Sequence, residues 1–513
     1  MTFRSRAVLA AAMTSAATAV VGGTLAYALY FRTDAYRRDV EARLTDFFQL
    51  PTEVGRIEPH TFRSRVFRDV RIWLPDRRDG IFTCPVAVWT RSRSADHAGV
   101  LLDLNGGRLS IGSDRWLPED YRRVLRSAFS KNLADLNIRQ VNLNGMDLIW
   151  PRSDASLTAE KVTGRIIFDG NRQGRATLIT QSLNGREVAA PIHIFARLAP
   201  GEDDFLPEVR LSVPDMPIAA LNLDRVLRAP IATGRFEGTI TYRQRGPVED
   251  IEITGEADNL DLGELTARVP FGPIEGRVSV RIDGARIRDG LLESLRFSGR
   301  LDQLVLGPLA RRAGYPEITG RLYLRVLEAQ LEDRRLLKLT ATGRIESVSL
   351  DAFTRRLGRG MVRGDLAVRL NAVQIVDEKL TALDADFDVQ PSPGRPGTID
   401  RELLVGALRE LIGSQVLQSL EKLLPERISY AHIGGKVLAQ NGRIRILGAS
   451  RDGRHDSLIT LRVLEQEIPL AAPTRTFPVQ SLLDAVGAQA RGIDLRALRN
   501  WWTTDSRPAP TSR

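Results

Sequence analysis

The 513-residue sequence contains one cysteine, five histidines and few aromatic residues. Cys84 has no second cysteine with which to form an internal disulfide, and a lone cysteine is compatible with any redox compartment. No two of the five histidines share a metal-ligand spacing. We therefore predict neither a disulfide framework nor a metal site.

Motifs for catalysis are also lacking. The sequence has no Gly-rich loop opening a helix, no Walker pattern for nucleotides and no Gly-x-Ser-x-Gly nucleophile elbow. Carboxylates are numerous, but nothing singles out two of them as an acid–base pair. Cys84 lies beside Phe82 and Pro85, which predicts a buried strand thiol. We therefore expect a protein that is not an enzyme and uses no cofactor.

Lysine is scarce in a strongly basic chain. Only six of the 73 basic residues are lysine, and the formal net charge is +10. A basic balance of this size is compatible with a nucleic-acid or anionic-membrane partner. The arginines, however, are spread along the sequence near aspartates and glutamates, with no cluster and no interleaved aromatics. This pattern predicts solvated strand faces and no nucleic-acid partner.

What the sequence does contain is an internal repeat with a period of 44 residues over residues 251–390. Gly276, Gly320 and Gly364 each precede a run in which apolar and polar residues alternate. Alternation with a period of two predicts half-buried strands. A fixed period of this size is typical of stacked units that bury their apolar faces only against neighbours. We predict a mainly β, elongated, repeat-built groove with a few amphipathic helices.

One long apolar run stands at the N-terminus. Residues 7–31 contain no charge, follow Arg4 and Arg6, and are long enough to cross a hydrocarbon core of ~30 Å. We predict an uncleaved transmembrane anchor, with residues 1–6 in the cytoplasm and the body exported. Ala26 and Ala28 leave a cleaved signal peptide open as the alternative.

The rest of the chain is predicted to be β structure with a few helices and a C-terminal end suited to contacts. Trp501 and Trp502 are adjacent there, and such a pair can sit at a membrane interface, on a partner protein or over the last strand. The predicted parts are a β region over 32–250 with a helix near 118–136, an amphipathic helix over 399–424, strands and capping helices over 428–502, and a disordered tail over 503–513.

The order of elements near the N-terminus resembles that of a known family. An apolar anchor is followed by a short helical pattern at Tyr36 to Phe48, a strand with Val54 and Gly55, and a strand from Val66 to Leu74. This order resembles the opening of the AsmA-like proteins, a family of bacterial envelope proteins. The glycine-led strands further along the chain are similar to that family as well.

The resemblance implies a single-pass protein of the inner membrane whose body lies in the periplasm. It also implies an elongated β-groove that carries phospholipid acyl chains and supports the lipid homeostasis of the outer membrane. A further envelope partner is expected at the C-terminal end. The groove would be lined by the apolar side chains of the three regular strands, namely Val278, Val280, Ile282, Leu322, Leu324, Val326, Leu366, Val368 and Leu370.

Other architectures stay open at this point. The same nine residues could be ordinary core packing in a non-catalytic scaffold for envelope assembly. A β-propeller also repeats at 40–50 residues, but the Trp-Asp and Gly-His signatures are missing. An outer-membrane barrel is disfavoured because only 6% of the residues are aromatic and no aromatic girdles are present.

Overall fold

The structure is a computed structural model. The residues that it describes are 30, 32–61, 63–73, 80–92, 99–110, 137–151, 156–169, 173–198, 208–221, 231–245, 248–267, 273–288, 291–312, 319–333, 335–356, 360–392, 394–405, 424–449, 457–463, 466–472 and 476–478. The predicted helix near 118–136, the C-terminal helices and tail beyond 478, and all of the predicted anchor except Tyr30 lie outside them.

The described chain is mainly β, as predicted, and divides into two compact units. The first unit comprises Met1–Met216, Ala220–Asn222 and Gly238–Ile251. The second comprises Pro217–Ala219, Leu223–Glu237 and Glu252–Arg513. Its long continuous part therefore begins where the 44-residue repeats begin.

The first unit is a mixed sheet preceded by one helix. Helix α1 begins after Thr33, whose hydroxyl accepts a hydrogen bond from the Tyr36 amide at 3.3 Å, and ends at Gln49 in a left-handed conformation. The elements are α1 (Asp34–Phe48), β1 (Thr52–Thr61), β2 (Ser64–Trp73), β3 (Gly80–Ser92), β4 (Gly99–Asn105), β5 (Arg108–Ser110), β6 (Ile138–Pro151), β7 (Ser156–Phe168), β8 (Gly174–Leu183), β9 (Arg186–Leu198) and β10 (Glu208–Pro217).

Large apolar side chains fill the core of this first unit. Tyr36 of α1 packs with Val54 and Ile57 of β1. Met146 of β6 and Val162 of β7 have no exposed surface. Strands β4 and β5 run parallel to β6, whereas the other pairs in this unit that have a defined register are antiparallel.

The division between the units passes through β11 (Arg235–Arg245) and β12 (Val248–Asp261). The remaining strands belong to the second unit, and their defined pairings are antiparallel. They are β13 (Arg277–Arg288), β14 (Leu291–Val305), β15 (Arg321–Glu332), β16 (Arg335–Ser349), β17 (Val362–Arg363), β18 (Asp365–Val376), β19 (Lys379–Gln390), β20 (Thr398–Asp400), β21 (Arg427–Gln440), β22 (Arg443–Gly448), β23 (Ser457–Val463), β24 (Gln466–Ala471) and β25 (Thr476–Pro478).

The 44-residue repeat is confirmed as a repeat of strand register. Arg277 lies opposite Asp302 in the pair β13–β14, and Arg321 lies opposite Glu346 in β15–β16. Each of the three regular strands predicted to follow a glycine begins one residue after it, at Arg277, Arg321 and Asp365. The sequence period therefore corresponds to one hairpin of two long strands.

Each repeat also contains a short helix that the alternation pattern did not predict. These helices are α2 (Leu262–Leu265), α3 (Leu306–Arg312) and α4 (Leu350–Arg356). The first residue of each donates its amide hydrogen to the glycine before the next long strand, from Leu262 to Gly276 at 3.0 Å and from Leu306 to Gly320 at 2.9 Å. Their brevity explains the miss, because one or two turns leave too few positions to show a helical period.

A compact cluster of buried side chains surrounds Tyr430 in the second unit. Its hydroxyl donates a hydrogen bond to the Arg363 carbonyl oxygen at 2.6 Å. We predicted a helix over 399–424, but Ile399 lies in β20. The described part of that predicted helix is residues 401–405. Ile399 and Leu404 are buried in the same cluster as Tyr430.

Candidate functional site

The nine predicted groove residues occupy equivalent positions in three strands of the second unit. Strand β13 contributes Val278, Val280 and Ile282, and polar residues alternate with them. Strand β15 contributes Leu322, Leu324 and Val326, and strand β18 contributes Leu366, Val368 and Leu370. Because alternate residues of a strand share a face, the nine side chains lie on one side of the repeats. We refer to this side as the apolar face.

The strands between them extend the apolar face into rows that cross the sheet. In one row Leu322 lies opposite Ile345, Ile345 opposite Val368, and Val368 opposite Phe387. In a second row Leu301 of β14 lies opposite Leu324. Three residues of these rows, Leu301, Ile345 and Phe387, were not among the predicted groove residues, although Leu301 and Ile345 are also 44 residues apart.

The side chains of the apolar face are half-buried. All nine predicted residues are neither fully buried nor fully exposed. Several of the buried residues in the same group of strands are small, such as Ala285, Ala329 and Ala341. The nine side chains of the apolar face therefore keep contact with the surroundings over part of their surface, whereas other large apolar side chains of the repeats, such as Ile287 and Leu304, are buried.

Two glycines interrupt these rows at equivalent positions. Gly299 lies opposite Val280, and Gly343 lies opposite Leu324. A Cβ atom on Gly299 would collide with the Ser279 carbonyl oxygen, and one on Gly343 would collide with that of Tyr323. The close approach of neighbouring backbones explains why glycine stands there, as is usual for glycine within strands.

The described residues offer little for covalent chemistry. They contain no group of three or more His, Cys, Asp or Glu side chains that could hold a metal ion. Cys84 is buried, as predicted, and burial raises the pKa of its thiol, which disfavours the reactive thiolate. It lies 3.3 Å from the Val86 carbonyl oxygen, to which it donates a hydrogen bond.

Polar groups of β18, β19 and β21 form a small exposed network. The Asn371 amide donates hydrogen bonds to Asp384 at 2.9 Å and to Asp386 at 2.7 Å. Lys436 pairs with Asp384 at 3.0 Å. The hydrogen bond from Asn371, followed by the interaction with Lys436, lowers the pKa of the Asp384 carboxyl. These contacts link three neighbouring strands at the exposed surface.

None of the described helices has the length and apolar character needed to cross a membrane. The predicted anchor over residues 7–31 falls outside the described residues except for Tyr30. Its role in the protein stays a prediction from the sequence.

Comparison with protein-family models, curated proteins and solved structures finds no match to this chain. Any functional assignment therefore has to be built from the residues and the geometry of the chain itself.

Proposed function

We propose that this chain is a non-catalytic phospholipid carrier whose apolar face holds acyl chains. It is anchored in the inner membrane of a bacterial envelope by residues 7–31 and exposes its body in the periplasm. The anchoring and the location come from the sequence pattern and from the resemblance to the AsmA-like proteins. The apolar face supplies the observation that carries the proposal.

Continuity of the apolar face favours an extended apolar ligand. The rows pass without a charged side chain from β15 through β16 and β18 to β19, as in Leu322, Ile345, Val368 and Phe387. From β13 to β21 there are six steps between neighbouring strands, or about 29 Å at ~4.8 Å per step. This width exceeds the length of one acyl chain, which is about half of a ~30 Å hydrocarbon core.

The energetics of burial favour occupancy of this face. Each methylene that leaves water contributes about 0.8 kcal/mol, and the attraction has no preferred direction along the surface. A lipid could therefore move along the rows without a change in its covalent structure. Half-buried side chains such as Val280 and Leu324 are the ones whose remaining surface an acyl chain would cover.

Site-specific photocrosslinking in the full chain tests this proposal. Strand β15 offers a matched pair, because Leu324 lies on the apolar face and its neighbour Tyr323 lies on the polar face. A benzophenone amino acid is placed at either position during expression in a bacterial envelope, and adducts are identified by mass spectrometry. We expect phospholipid adducts at position 324 and none at 323.

A second matched pair separates lipid binding from folding. The double change Val280→Asp and Leu324→Asp places charges on the apolar face, and Ser279→Asp with Thr342→Asp places them on the polar face. In both double variants the benzophenone amino acid replaces Val368. We expect only the changes at Val280 and Leu324 to abolish the lipid adducts formed from that position. A folded chain that yields no adduct at any apolar-face position would contradict the proposal and favour a packed assembly scaffold.

A further inference from the structure

The polar face of the repeats carries five exposed arginines on five neighbouring strands. Arg281, Arg325 and Arg369 recur every 44 residues on β13, β15 and β18. Arg300 and Arg344 have the same spacing on β14 and β16. We call these five residues the arginine track.

Strand register brings together arginines that are far apart in the sequence. Arg300 lies directly opposite Arg325, and Arg344 lies directly opposite Arg369. Like charges at opposed positions destabilise a pair of strands. The track crosses four steps between strands, or about 19 Å at ~4.8 Å per step. The arginines form no cluster in the sequence, because their arrangement depends on the pairing register of the strands.

Three arginines of the track have acidic neighbours. Arg281 lies 3.4 Å from Glu256, Arg300 lies 3.3 Å from Asp302, and Arg344 lies 2.6 Å from Glu346. The three arginine side chains stay between 59% and 68% exposed. Ion pairs with this exposure are weak, so the guanidinium groups can exchange these partners for another anion.

The other two arginines have no acidic partner among the described residues. No carboxylate oxygen of the described chain lies within 4.0 Å of a guanidinium nitrogen of Arg325 or Arg369. Asp386 lies opposite Arg369 in the register, but it accepts a hydrogen bond from Asn371 instead. Two positive charges of the track are therefore free to meet an external anion.

Two shallow depressions follow the track. The first has a volume of about 710 Å³, and its lining includes Arg281, Arg300 and Arg325 together with Glu256, Asp258 and Val280. The second has a volume of about 540 Å³, and its lining includes Arg300, Arg325, Arg344 and Arg369 together with Asp302, Leu301 and Leu324. Because Arg300 and Arg325 line both, the depressions adjoin each other and form one path across the strands.

We propose that the arginine track binds a linear polyphosphate chain laid across the strands. Guanidinium groups bind phosphate oxygens through two parallel hydrogen bonds, which lysine cannot do. The carboxylates of Asp302 and Glu346 occupy equivalent positions 44 residues apart, so both lie on the same side of the arginines. A narrow polyanion can follow the arginines past that side. A broad anionic surface would meet those carboxylates as well.

The composition of the face argues against a single-stranded nucleic acid. Proteins that bind single strands stack the bases on aromatic side chains. Tyr323 is the aromatic residue on the described lining of the track, and the Arg344 guanidinium already lies 4.4 Å from its ring centroid.

Binding of inorganic polyphosphate to the full chain in detergent tests the proposal. The double variant Arg325→Gln and Arg369→Gln removes the two arginines that have no acidic partner. The control variant Arg56→Gln and Arg210→Gln removes the same charge from exposed arginines of the first unit. Fluorescence anisotropy with a labelled chain of about 60 phosphates reports affinity at several salt concentrations.

We expect the track variant to bind at least tenfold more weakly and its salt dependence to lose about 1.5 units of log–log slope, since each lost phosphate contact removes about 0.7–0.9. The control variant should bind within twofold of the wild type. Equal losses in both variants would mean binding by net charge alone and would overturn the proposal. So would tighter binding to polyglutamate, to single-stranded DNA or to anionic vesicles than to polyphosphate.

Folding of the track variant is checked independently. Both substituted side chains are exposed, and each change removes a like-charge pair across strands. The variant should therefore unfold at the same temperature as the wild type or slightly above it. Unchanged unfolding together with unchanged polyphosphate affinity would also overturn the proposal.

Discussion

Strand β8 of the first unit and strand β13 of the second both place alternate residues on two faces, but the faces differ in burial. In β8, Ala176, Leu178 and Thr180 are buried, and the residues between them are exposed. In β13, Val280 and Ile282 are half-buried. The alternation of a strand therefore specifies which side chains share a face, whereas the elements packed on that face decide whether it closes.

The largest expected effect comes from placing a carboxylate in the buried core of the first unit, compared with the same change on the half-buried apolar face of the second. Val162→Asp in β7 puts an unpaired carboxylate where no surface is exposed and should cost at least about 3–5 kcal/mol of unfolding free energy. Val280→Asp, on a half-buried position, should cost about 1 kcal/mol. Hydrogen exchange of peptides from β7 and β13 in the two variants measures both effects locally.

The two Asp variants together test whether the repeats are less closely packed than the first unit. If Val280→Asp destabilises β13 as strongly as Val162→Asp destabilises β7, the repeats are as closely packed as the first unit. That result would remove the basis of the lipid proposal as well.

A smaller effect is expected from adding a methyl group at Gly299. Its Cβ would lie against the Ser279 carbonyl and 3.0 Å from the Val280 Cα, so Gly299→Ala should cost about 1–3 kcal/mol. Gly284→Ala is the matched control, because no atom lies within 4 Å of its added Cβ. Urea unfolding of both variants tests whether the close backbone approach, and not side-chain packing, limits the repeats.

The smallest effect is expected in the buried cluster around Tyr430. Tyr430→Phe removes the hydrogen bond to Arg363 and should cost about 1 kcal/mol at neutral pH. Burial, followed by the nearby charges of Asp365 and Asp388, raises the pKa of Tyr430 to about 12 from an ordinary value of 10.0. This contribution holds below pH 10 and is lost as the pH rises towards 12.

The measurement is the difference in unfolding free energy between the wild type and Tyr430→Phe at several pH values. The advantage of the wild type should shrink from pH 10 upwards, because the folded state then disfavours the ionised tyrosine that the unfolded chain forms. A difference that stays constant up to pH 12 would show that Tyr430 is not held in its neutral form.

Much of the repeat could be predicted from the sequence, because period-two alternation and a glycine every 44 residues directly reflect strand faces and hairpin spacing. The positions of Val280 and Leu324 on one face follow from that alone. What could not be predicted depends on register. Arg300 and Arg325 are 25 residues apart in the sequence, and only the pairing of β14 with β15 shows them to be opposed.

The alternation of apolar and polar residues also did not predict the local backbone conformation between the long strands. Asn259, Gln303 and Ser347 recur every 44 residues and all have a positive φ of 56–58°. A positive φ is uncommon in residues other than glycine. A glutamine or a serine in the sequence gives no indication that its backbone adopts this conformation. The short helices that follow them were missed for the same reason, since their geometry is set by the hydrogen bonds to Gly276 and its equivalents.

The repeated register gives the second unit a modular length. Each 44-residue unit leaves its last strand in the position from which the next unit starts, as the equivalence of Arg277–Asp302 and Arg321–Glu346 shows. Gain or loss of a whole unit would therefore preserve every contact except those at the two junctions. Both faces would become wider or narrower together by two strands, or about 10 Å. The width of the two faces can therefore change only in steps of one repeat.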